Sequence, residues 1–406
     1  MDDDVTGPTT APARPRLGRR GFLGAAGLAA GATLLTACTA DAGGGGGDDP
    51  AGTGSEGVLG GGGPSVEWDM PTSWPAGLVS LFGTTENGSG ATGFAQTVAG
   101  LTGGNFVITP QQAGEVAGAL EILDVVESGA VPCGHTAGYY YIGRSPAFAF
   151  GTSVPFGLTF RQMYSWLYHY RDGSGQRGLD VMRKFYADRF NIIQVPAGNT
   201  GCQMGGFFNR EIRSLADLQG LTMRIPGLGG QVMTRLGVTT QNLAAGEIAQ
   251  ALQTGAVDAA EFVGPLDDDG LGLGEAAPFY YYPGWWEPGA MLEVMISLDA
   301  WNELPPEYRT ALDLAGETTL LRTMGLYDAL QPQSLANIEA AGAQALPFPD
   351  DVMAAARTES DRLIEELAAQ DADVRTIWDH MRPYRDAVAR WHGTAELEML
   401  RAKAQR

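Results

Sequence analysis

The sequence predicts an α/β fold of two lobes with a cleft between them and a long C-terminal helix. Two stretches of the chain alternate strand patterns with amphipathic helix patterns, which is typical of α/β architecture. The residues from Val66 to Arg406 are numerous enough to form two hydrophobic cores. From Asp299 onward the pattern is mostly helical. We expect the chain to cross between the lobes more than once, so that both halves contribute side chains to the cleft.

The first stretch contains two strand–helix alternations. Its pattern predicts a strand over Asn105–Pro110, a helix over Ala113–Ser128 and a strand over Val131–Thr136. A second amphipathic helix over Leu179–Arg189 precedes a strand over Asn191–Val195. This order of elements indicates a sheet with helices packed against it.

The second stretch repeats the same rhythm. A capped helical turn is predicted at Ser214–Leu218, followed by a strand over Leu221–Ile225 and a helix over Gly229–Leu236. Another helix over Glu247–Gly255 leads into a strand over Val257–Val263. We therefore expect a second sheet of its own.

Approximate lobe boundaries follow from this order of elements. The first lobe is predicted to contain residues 66–196 and 260–296, and the second residues 197–259 and 297–372. Residues 373–406 form a helical extension, in which Pro383 and Gly393 allow a kink or a break. Its apolar and aromatic residues recur at helical spacing: Val374, Ile377, Trp378, Met381, Tyr384, Val388, Trp391, Leu397 and Leu400.

The N-terminus has the pattern of an export signal. Arg19 and Arg20 form a twin-arginine pair, and an apolar run of small residues follows. The run is shorter than the roughly 20 residues that a transmembrane helix needs. The LTAC stretch that ends at Cys38 is similar to the lipobox of bacterial lipoproteins, in which the cysteine is acylated. We expect residues 1–37 to be a twin-arginine lipoprotein signal peptide and residues 38–65 a lipidated cysteine with a Gly-rich tether.

Charge and motifs exclude several classes of function. The formal net charge is −21, so nucleic acid and anionic lipid headgroups are unsuitable partners, although a local field can still attract a small anion. The sequence contains no HExxH, CxxC, GxSxG or GxxxxGK[ST] motif, and its four histidines lack metal-ligand spacing. Two cysteines, Cys133 and Cys202, follow Cys38, and their number alone does not decide whether they form a disulfide.

Three polar positions stand at the ends of apolar or aromatic stretches. Arg224 ends one predicted strand, and its planar guanidinium matches a carboxylate with two parallel hydrogen bonds. Glu261 comes late in another strand, and Glu287 lies in an aromatic loop. If the fold brings the two glutamates together with Gln203, their oxygens suit a hard cation such as Na⁺ or Ca²⁺. The alternative for each residue taken singly is a salt bridge between the lobes.

At these positions the sequence resembles the extracytoplasmic solute receptors of tripartite ATP-independent periplasmic (TRAP) transporters, the DctP-like family. The resemblance runs from about Val66 to the C-terminus and favours the branch that binds 2-oxo acids and lactate. Its most specific parts are the Gln203 loop, the MRIP stretch at Arg224, the LxxGxVDAxE run that ends at Glu261, and the YYPGWWE loop that ends at Glu287. The family implies a two-lobed periplasmic-binding-protein-like fold.

The resemblance also implies roles for individual residues. Arg224 matches the arginine that binds the ligand carboxylate, and Gln203 a side chain that contacts both ligand and metal. Glu261 and Glu287 match the acidic metal ligands. Phe262 matches the residue whose backbone carbonyl completes the metal site, although the family pattern has Trp there. One tyrosine of residues 139–141, for which we choose Tyr140, should contact the ligand.

The resemblance implies a receptor without catalysis, which receives a small monocarboxylate such as pyruvate or lactate and passes it to integral membrane subunits. It also implies export, a lipid anchor at the outer face of the cytoplasmic membrane, and a homodimer in which the C-terminal helix crosses to the second copy. The alternatives are a hydrolase that uses Glu261 and Glu287 as an acid–base pair, and a receptor of an ATP-driven importer. For the helix, the alternative is that it folds back across its own lobes.

Overall fold

The computed structural model describes residues 62–404. The predicted signal peptide, Cys38 and most of the predicted tether therefore lie outside the described residues. Among residues 62–404, no helix combines the length and the apolar character needed to cross a membrane.

Eleven strands are present in the described part of the chain, in three hydrogen-bonded groups. Their bounds are β1 Val66–Pro71, β2 Phe106–Gln111, β3 Cys133–Thr136, β4 Ile192–Asn199, β5 Phe207–Phe208, β6 Thr222–Arg224, β7 Thr239–Gln241, β8 Ala259–Ala260, β9 Phe279–Tyr282, β10 Met291–Ser297 and β11 Gln344–Pro347. The first lobe contains the pair β1–β2 and the order β3–β10–β4. An isolated bridge between Thr72 and His135 connects these two groups. The second lobe contains the six-stranded order β11–β9–β5–β8–β6–β7.

Fourteen α-helices surround these sheets within the described residues. They are α1 Gly90–Leu101, α2 Ile122–Glu127, α3 Phe148–Thr152, α4 Phe160–Tyr168, α5 Gly178–Phe190, α6 Gly227–Arg235, α7 Ile248–Thr254, α8 Pro265–Gly270, α9 Leu273–Ala276, α10 Leu298–Glu303, α11 Pro306–Ala340, α12 Asp350–Gln370, α13 Ala372–His392 and α14 Glu398–Ala404. Short 3₁₀ turns lie at Gly138–Tyr141, Leu215–Leu218 and Ala245–Glu247. The predicted α/β class with two lobes is confirmed.

Helix α11 is long enough to reach the cores of both lobes. Near its start, Leu312 and Ala315 are buried in the cluster that covers β10 and β4 of the first lobe. Near its end, Tyr327 and Ile338 are buried in a cluster that includes Phe207 of the second lobe. One helix therefore links the two sheets through apolar packing, which is the dominant stabilising contribution in a fold.

One predicted helix was wrong over half of its length. The structure has turns between residues 113 and 121, and α2 begins only at Ile122. Gly114 takes a φ of 86°, which an L side chain rarely adopts, and the Ala113 N–H donates to the Trp74 carbonyl instead of a helical partner. Tertiary contacts therefore override the helical spacing in this segment.

Strand membership also differs from the predicted lobe boundaries. Residues 260–296 were assigned to the first lobe, but β9 pairs with β5 and β11 in the sheet of the second lobe. Only β10, near the end of that range, pairs with β3 and β4 of the first lobe. We place the return crossing of the chain between Tyr282 and Met291, where the aromatic loop lies.

The C-terminal helix packs first against its own chain. In α13, Val374, Ile377, Trp378 and Met381 are buried, and the helix contacts α12, α5, α4 and α3. Pro383 lies inside α13 without breaking it, and a π-helical turn begins at Gly393. Near the end of α13 and beyond it, the large apolar side chains Trp391, Leu397, Met399 and Leu400 are exposed.

Candidate functional site

Arg224 and Glu261 are adjacent because their strands are adjacent. Strands β6 and β8 run parallel, with Arg224 opposite Ala260. Arg224 is the last residue of β6, and Glu261 is the first residue after β8. Parallel strands that end at one edge of a sheet place their terminal side chains together, and ligands commonly bind at that edge in α/β folds.

Arg224 is buried, with 1% of its surface exposed. Three hydrogen bonds from two of its guanidinium nitrogens hold it in place. Its Nη1 donates to the Glu261 carbonyl and to Glu261 Oε1, both at 2.6 Å. Its Nε donates to the Leu243 carbonyl at 3.1 Å. The Nη2 group is buried and has no hydrogen-bond partner. Since an unsatisfied buried donor is costly, Nη2 marks where an anionic acceptor would bind.

Three buried oxygens beside this arginine are also without partners. They are Glu261 Oε2, Glu287 Oε2 and Gln203 Oε1. The amide of Gln203 is oriented by its Nε2, which donates to Thr200 Oγ1 at 2.9 Å. Buried polar groups are normally satisfied, so a set of buried oxygens without partners is a candidate place for a cation to bind.

Backbone hydrogen bonds join the segments that carry these oxygens. The Gln203 N–H donates to the Glu287 carbonyl at 3.1 Å, and the Gly284 N–H donates to the Gln203 carbonyl at 2.8 Å. The Met204 N–H donates to the Val263 carbonyl at 2.9 Å. Gly284 is required in this arrangement, because a Cβ there would lie 2.5 Å from the Met204 carbonyl oxygen. Backbone hydrogen bonds therefore connect the three segments that carry the predicted oxygen ligands of the metal.

Burial and mutual repulsion shape the electrostatics of the two glutamates. Burial raises the pKa of Glu261 to about 7, against the opposing effect of Arg224. Burial, and then the charge of Glu261, raise the pKa of Glu287 well above its ordinary value. When both carboxylates are ionised, one arginine leaves an excess of negative charge, which a cation would offset.

The oxygen set fits a hard cation. It consists of two carboxylates and one amide, ligand types that suit Na⁺ and Ca²⁺. Among residues 62–404, no group of three or more His, Cys, Asp or Glu side chains is placed to hold a metal. The fit therefore depends on the amide oxygen of Gln203, which has no partner of its own.

The three consecutive tyrosines have different environments. Burial raises the pKa of Tyr140 to about 12. The nearby charge of Arg224 opposes that rise, which indicates that the Tyr140 hydroxyl lies close to Arg224. Tyr139 lies beside Glu287, and burial followed by that charge raises its pKa well above its ordinary value. The Tyr141 hydroxyl points elsewhere and shares a hydrogen bond of 3.0 Å with Thr136. Sequence reasoning chose Tyr140 among the three tyrosines, and the 3₁₀ turn brings Tyr139 close to the two glutamates as well.

Aromatic side chains enclose the charged groups. Phe262 is buried, and its ring centroid is 5.6 Å from the Arg224 guanidinium carbon. Trp286 is buried beside Glu261, and Trp285 stacks on Phe156 with 5.4 Å between ring centroids. These rings exclude water, which strengthens electrostatic interactions inside the site.

Cys202, next to Gln203, is exposed, and both Cys202 and the buried Cys133 are free thiols.

A buried arginine with a free donor, opposite unpaired oxygens and between two α/β lobes, suits the capture of a small anion. This is the architecture of a solute-binding protein. The chain belongs to the bacterial extracellular solute-binding proteins of family 7, the DctP family, whose model matches residues 83–371. The predicted family membership is confirmed.

Relatives of known ligand give this membership more detail. The chain is 46% identical over 379 residues to the monocarboxylate 2-oxoacid-binding periplasmic protein of Nostoc sp., a match that covers 93% of this chain and 97% of that protein. A TRAP transporter solute-binding protein of Bordetella bronchiseptica, a mixed-occupancy dimer with calcium and picolinate, is 37% identical, with a TM-score of 0.79 and coverage of 84% and 98%. A Pseudoalteromonas atlantica TRAP protein with bound sodium and pyruvate is 32% identical, with a TM-score of 0.76 and coverage of 83% and 99%.

Proposed function

We propose that this protein is an extracytoplasmic receptor of a TRAP transporter that binds a small 2-oxo or 2-hydroxy monocarboxylate together with Na⁺ or Ca²⁺. The observation that supports the proposal is a set of buried atoms without partners, one guanidinium nitrogen and three oxygens, on segments that hydrogen bonds join to one another. The relatives that bind 2-oxo acids, calcium or sodium support the same combination.

In this proposal each residue has a distinct task. Arg224 Nη2 binds a carboxylate oxygen of the ligand, and the hydroxyl of Tyr140 adds a hydrogen bond. Glu261, Glu287, Gln203 and the carbonyl of Phe262 hold the cation. The cation supplies positive charge to a site that would otherwise repel an anion, and a 2-oxo or 2-hydroxy acid offers it a carboxylate oxygen and the C2 oxygen as a chelate. The phenylalanine at position 262 keeps a backbone ligand but changes the wall of the pocket.

Removal of the cation tests the proposal directly. We expect the full chain with Cys38→Ser, depleted of divalent cations and kept in Na⁺-free buffer, to bind pyruvate weakly. Restoring Ca²⁺ or Na⁺ should recover the affinity, because the cation offsets the glutamate charges. Isothermal titration calorimetry with pyruvate, lactate and longer 2-oxo acids measures this. If the cation-free protein binds its acid with full affinity, the shared site is wrong.

We also propose that the protein performs no turnover. The rival hydrolase would use Glu261 and Glu287 as an acid–base pair, but Glu261 is already paired with Arg224 at 2.6 Å. This pair holds Oε1 of Glu261 in a hydrogen bond, so that oxygen is not free to exchange a proton with a substrate. Conversion of a bound ligand to product would contradict the receptor proposal.

The partners and location follow from the proposed transporter. We propose that residues 1–37 are removed, that Cys38 is lipidated and that the protein delivers its ligand to integral membrane subunits at the outer face of the cytoplasmic membrane. Two neighbouring genes for integral membrane subunits, without an ATPase gene, would favour this over an ATP-driven importer.

We further propose a homodimer formed through the end of the C-terminal helix. Trp391 is 61% exposed and Leu400 is 63% exposed, and a groove of about 360 Å³ beside Trp391 is lined by Phe160, Leu321 and Val388. Apolar surface of this kind favours a protein interface. A symmetric pair can use both the protruding residues and the groove on each copy, and the dimeric Bordetella bronchiseptica relative supports such an assembly.

Truncation after Arg390 should convert the dimer to a monomer. This cut keeps the buried face of α13 from Val374 to Tyr384, so ligand binding should be unchanged. Analytical ultracentrifugation of the Cys38→Ser chain, with and without residues 391–406, measures the change. Leu400→Asp should weaken the dimer, whereas Leu330→Asp, an exposed position on α11, serves as the control. A full chain that sediments as a monomer would contradict the proposal.

A further inference from the structure

Asp268 is a buried carboxylate that makes no contact with a positive charge in the described residues. It lies on α8, with 1% of its surface exposed. Its Oδ2 accepts a hydrogen bond from the Tyr280 hydroxyl at 2.6 Å, and its Oδ1 accepts one from the Val263 N–H at 3.2 Å. Burial of a carboxylate costs folding free energy, so a gain in stability does not explain why an aspartate occupies this position.

One of its two partners belongs to the backbone of the binding site. Val263 follows Phe262, and its carbonyl accepts the hydrogen bond from the Met204 N–H at 2.9 Å. The N–H and the carbonyl of Val263 therefore connect Asp268 with the segment next to Gln203. A single carboxylate is thus connected, through Val263, with two of the segments that carry the proposed cation ligands.

The other partner anchors Asp268 to the sheet. Tyr280 is a buried residue of β9, and its ring stacks on Phe207 of β5 with 4.1 Å between centroids. Strands β5 and β9 pair in the second sheet. The two hydrogen bonds of Asp268 therefore connect Tyr280 in the sheet with Val263 next to the site.

We propose that Asp268 is a positioning residue that sets the affinity of the cation site by holding Val263, and with it the segments of Glu261, Phe262 and Gln203. This inference rests on the proposed cation site. Groups behind the metal ligands orient those ligands, and their loss typically lowers metal affinity about 10- to 100-fold. An oxygen set with a misplaced carbonyl or amide would bind a hard cation less well.

The neighbouring Asp267 provides a matched control. It lies on the same helix and is also 1% exposed. It accepts hydrogen bonds from the Tyr327 hydroxyl at 2.5 Å and from Ser80 Oγ, and neither partner belongs to the site backbone. Loss of Asp267 should therefore reduce stability without changing the geometry of the cation site.

The test compares cation affinity in the full chain with Cys38→Ser. Tb³⁺ luminescence, sensitised by the nearby Trp286, and displacement by Ca²⁺ report the affinity in the absence of any acid. We expect Asp268→Ala to bind both ions about 10- to 100-fold more weakly. Asp268→Asn should restore most of the affinity, because its amide oxygen can accept from Val263 and its NH₂ can donate to Tyr280. Asp267→Ala should bind both ions like the parent protein.

The outcomes separate this inference from the proposed function. If the parent protein binds neither ion, the cation site itself is wrong and the inference is lost with it. If the parent binds but Asp268→Ala binds equally well, only the role of Asp268 is refuted. The same holds if Asp267→Ala loses as much affinity as Asp268→Ala, because general destabilisation then accounts for both.

A second variant covers the case in which Asp268→Ala does not fold. Tyr280→Phe keeps the ring stacked on Phe207 and removes only the hydroxyl that orients Asp268. We expect a loss of Tb³⁺ affinity of several-fold, together with faster hydrogen exchange at the Val263 amide. Unchanged affinity and unchanged exchange in a folded Tyr280→Phe protein would overturn the inference.

Discussion

Substitution of Arg224 by lysine is expected to abolish tight binding of the acid. The guanidinium uses Nη1 and Nε to bind the carbonyls of Glu261 and Leu243, and this leaves Nη2 without a partner. A lysine ammonium is a single point of charge and cannot hold both carbonyls while it binds a carboxylate. Truncating one partner of a buried charge pair costs about 2–5 kcal/mol, which corresponds to roughly 30- to several-thousand-fold in affinity.

Calorimetry with pyruvate at saturating Ca²⁺ measures this loss. Arg235→Lys is the control, because Arg235 on α6 forms an ion pair with Glu366 at 2.7 Å on the surface, away from the site. We expect the control to bind like the parent protein. Arg224→Lys with unchanged affinity would remove Arg224 from the site.

The sequence predicts the parts of the site that follow from strand pattern alone. Arg224 and Glu261 each stand where an apolar strand ends, and parallel pairing of β6 with β8 makes them neighbours. Gln203 and Glu287 lie in irregular loops, whose path no periodicity describes. Backbone hydrogen bonds, such as the one that the Gln203 N–H donates to the Glu287 carbonyl, bring these two loops together. From the sequence, only the family resemblance indicated that Gln203 and Glu287 lie close to each other.

The fold shows the same division between local pattern and long-range contact. The strand predicted over Leu221–Ile225 and the helix predicted over Leu179–Arg189 are present as β6 and α5, with ends that differ by one residue, because their patterns are local. The place of β9 in the second sheet was missed, since it depends on pairing with β5, which lies far away in the sequence. The contact between Asp268 and Tyr280 was not predicted for a similar reason: Tyr280 is on β9, and nothing in the sequence reveals that hydrogen bond.

Replacement of Glu287 by glutamine should remove the cation without unfolding the protein. The change keeps the shape of the side chain and deletes one of the two buried negative charges. Affinity for Ca²⁺ depends on the number of charged ligands, so we expect a loss greater than the roughly 100-fold that an outer-shell partner costs. Affinity for pyruvate should fall with it, because the acid and the cation share the site.

The same substitution should leave the cation-free protein at least as stable as the parent at pH 8. Burial and Glu261 raise the pKa of Glu287 in the folded state well above its ordinary 4.5, so the free energy of unfolding falls as the pH rises from about 4.5 towards that raised pKa. A glutamine carries no such loss.

Thermal unfolding with and without Ca²⁺ should then give a Ca²⁺-dependent rise in melting temperature for the parent and almost none for Glu287→Gln. Glu293→Gln is the matched control: Glu293 is equally buried but is bound by Tyr186 and Gln194, so this variant should keep the Ca²⁺-dependent rise. A Glu287→Gln protein that Ca²⁺ stabilises as much as it does the parent would show that Glu287 is not a cation ligand.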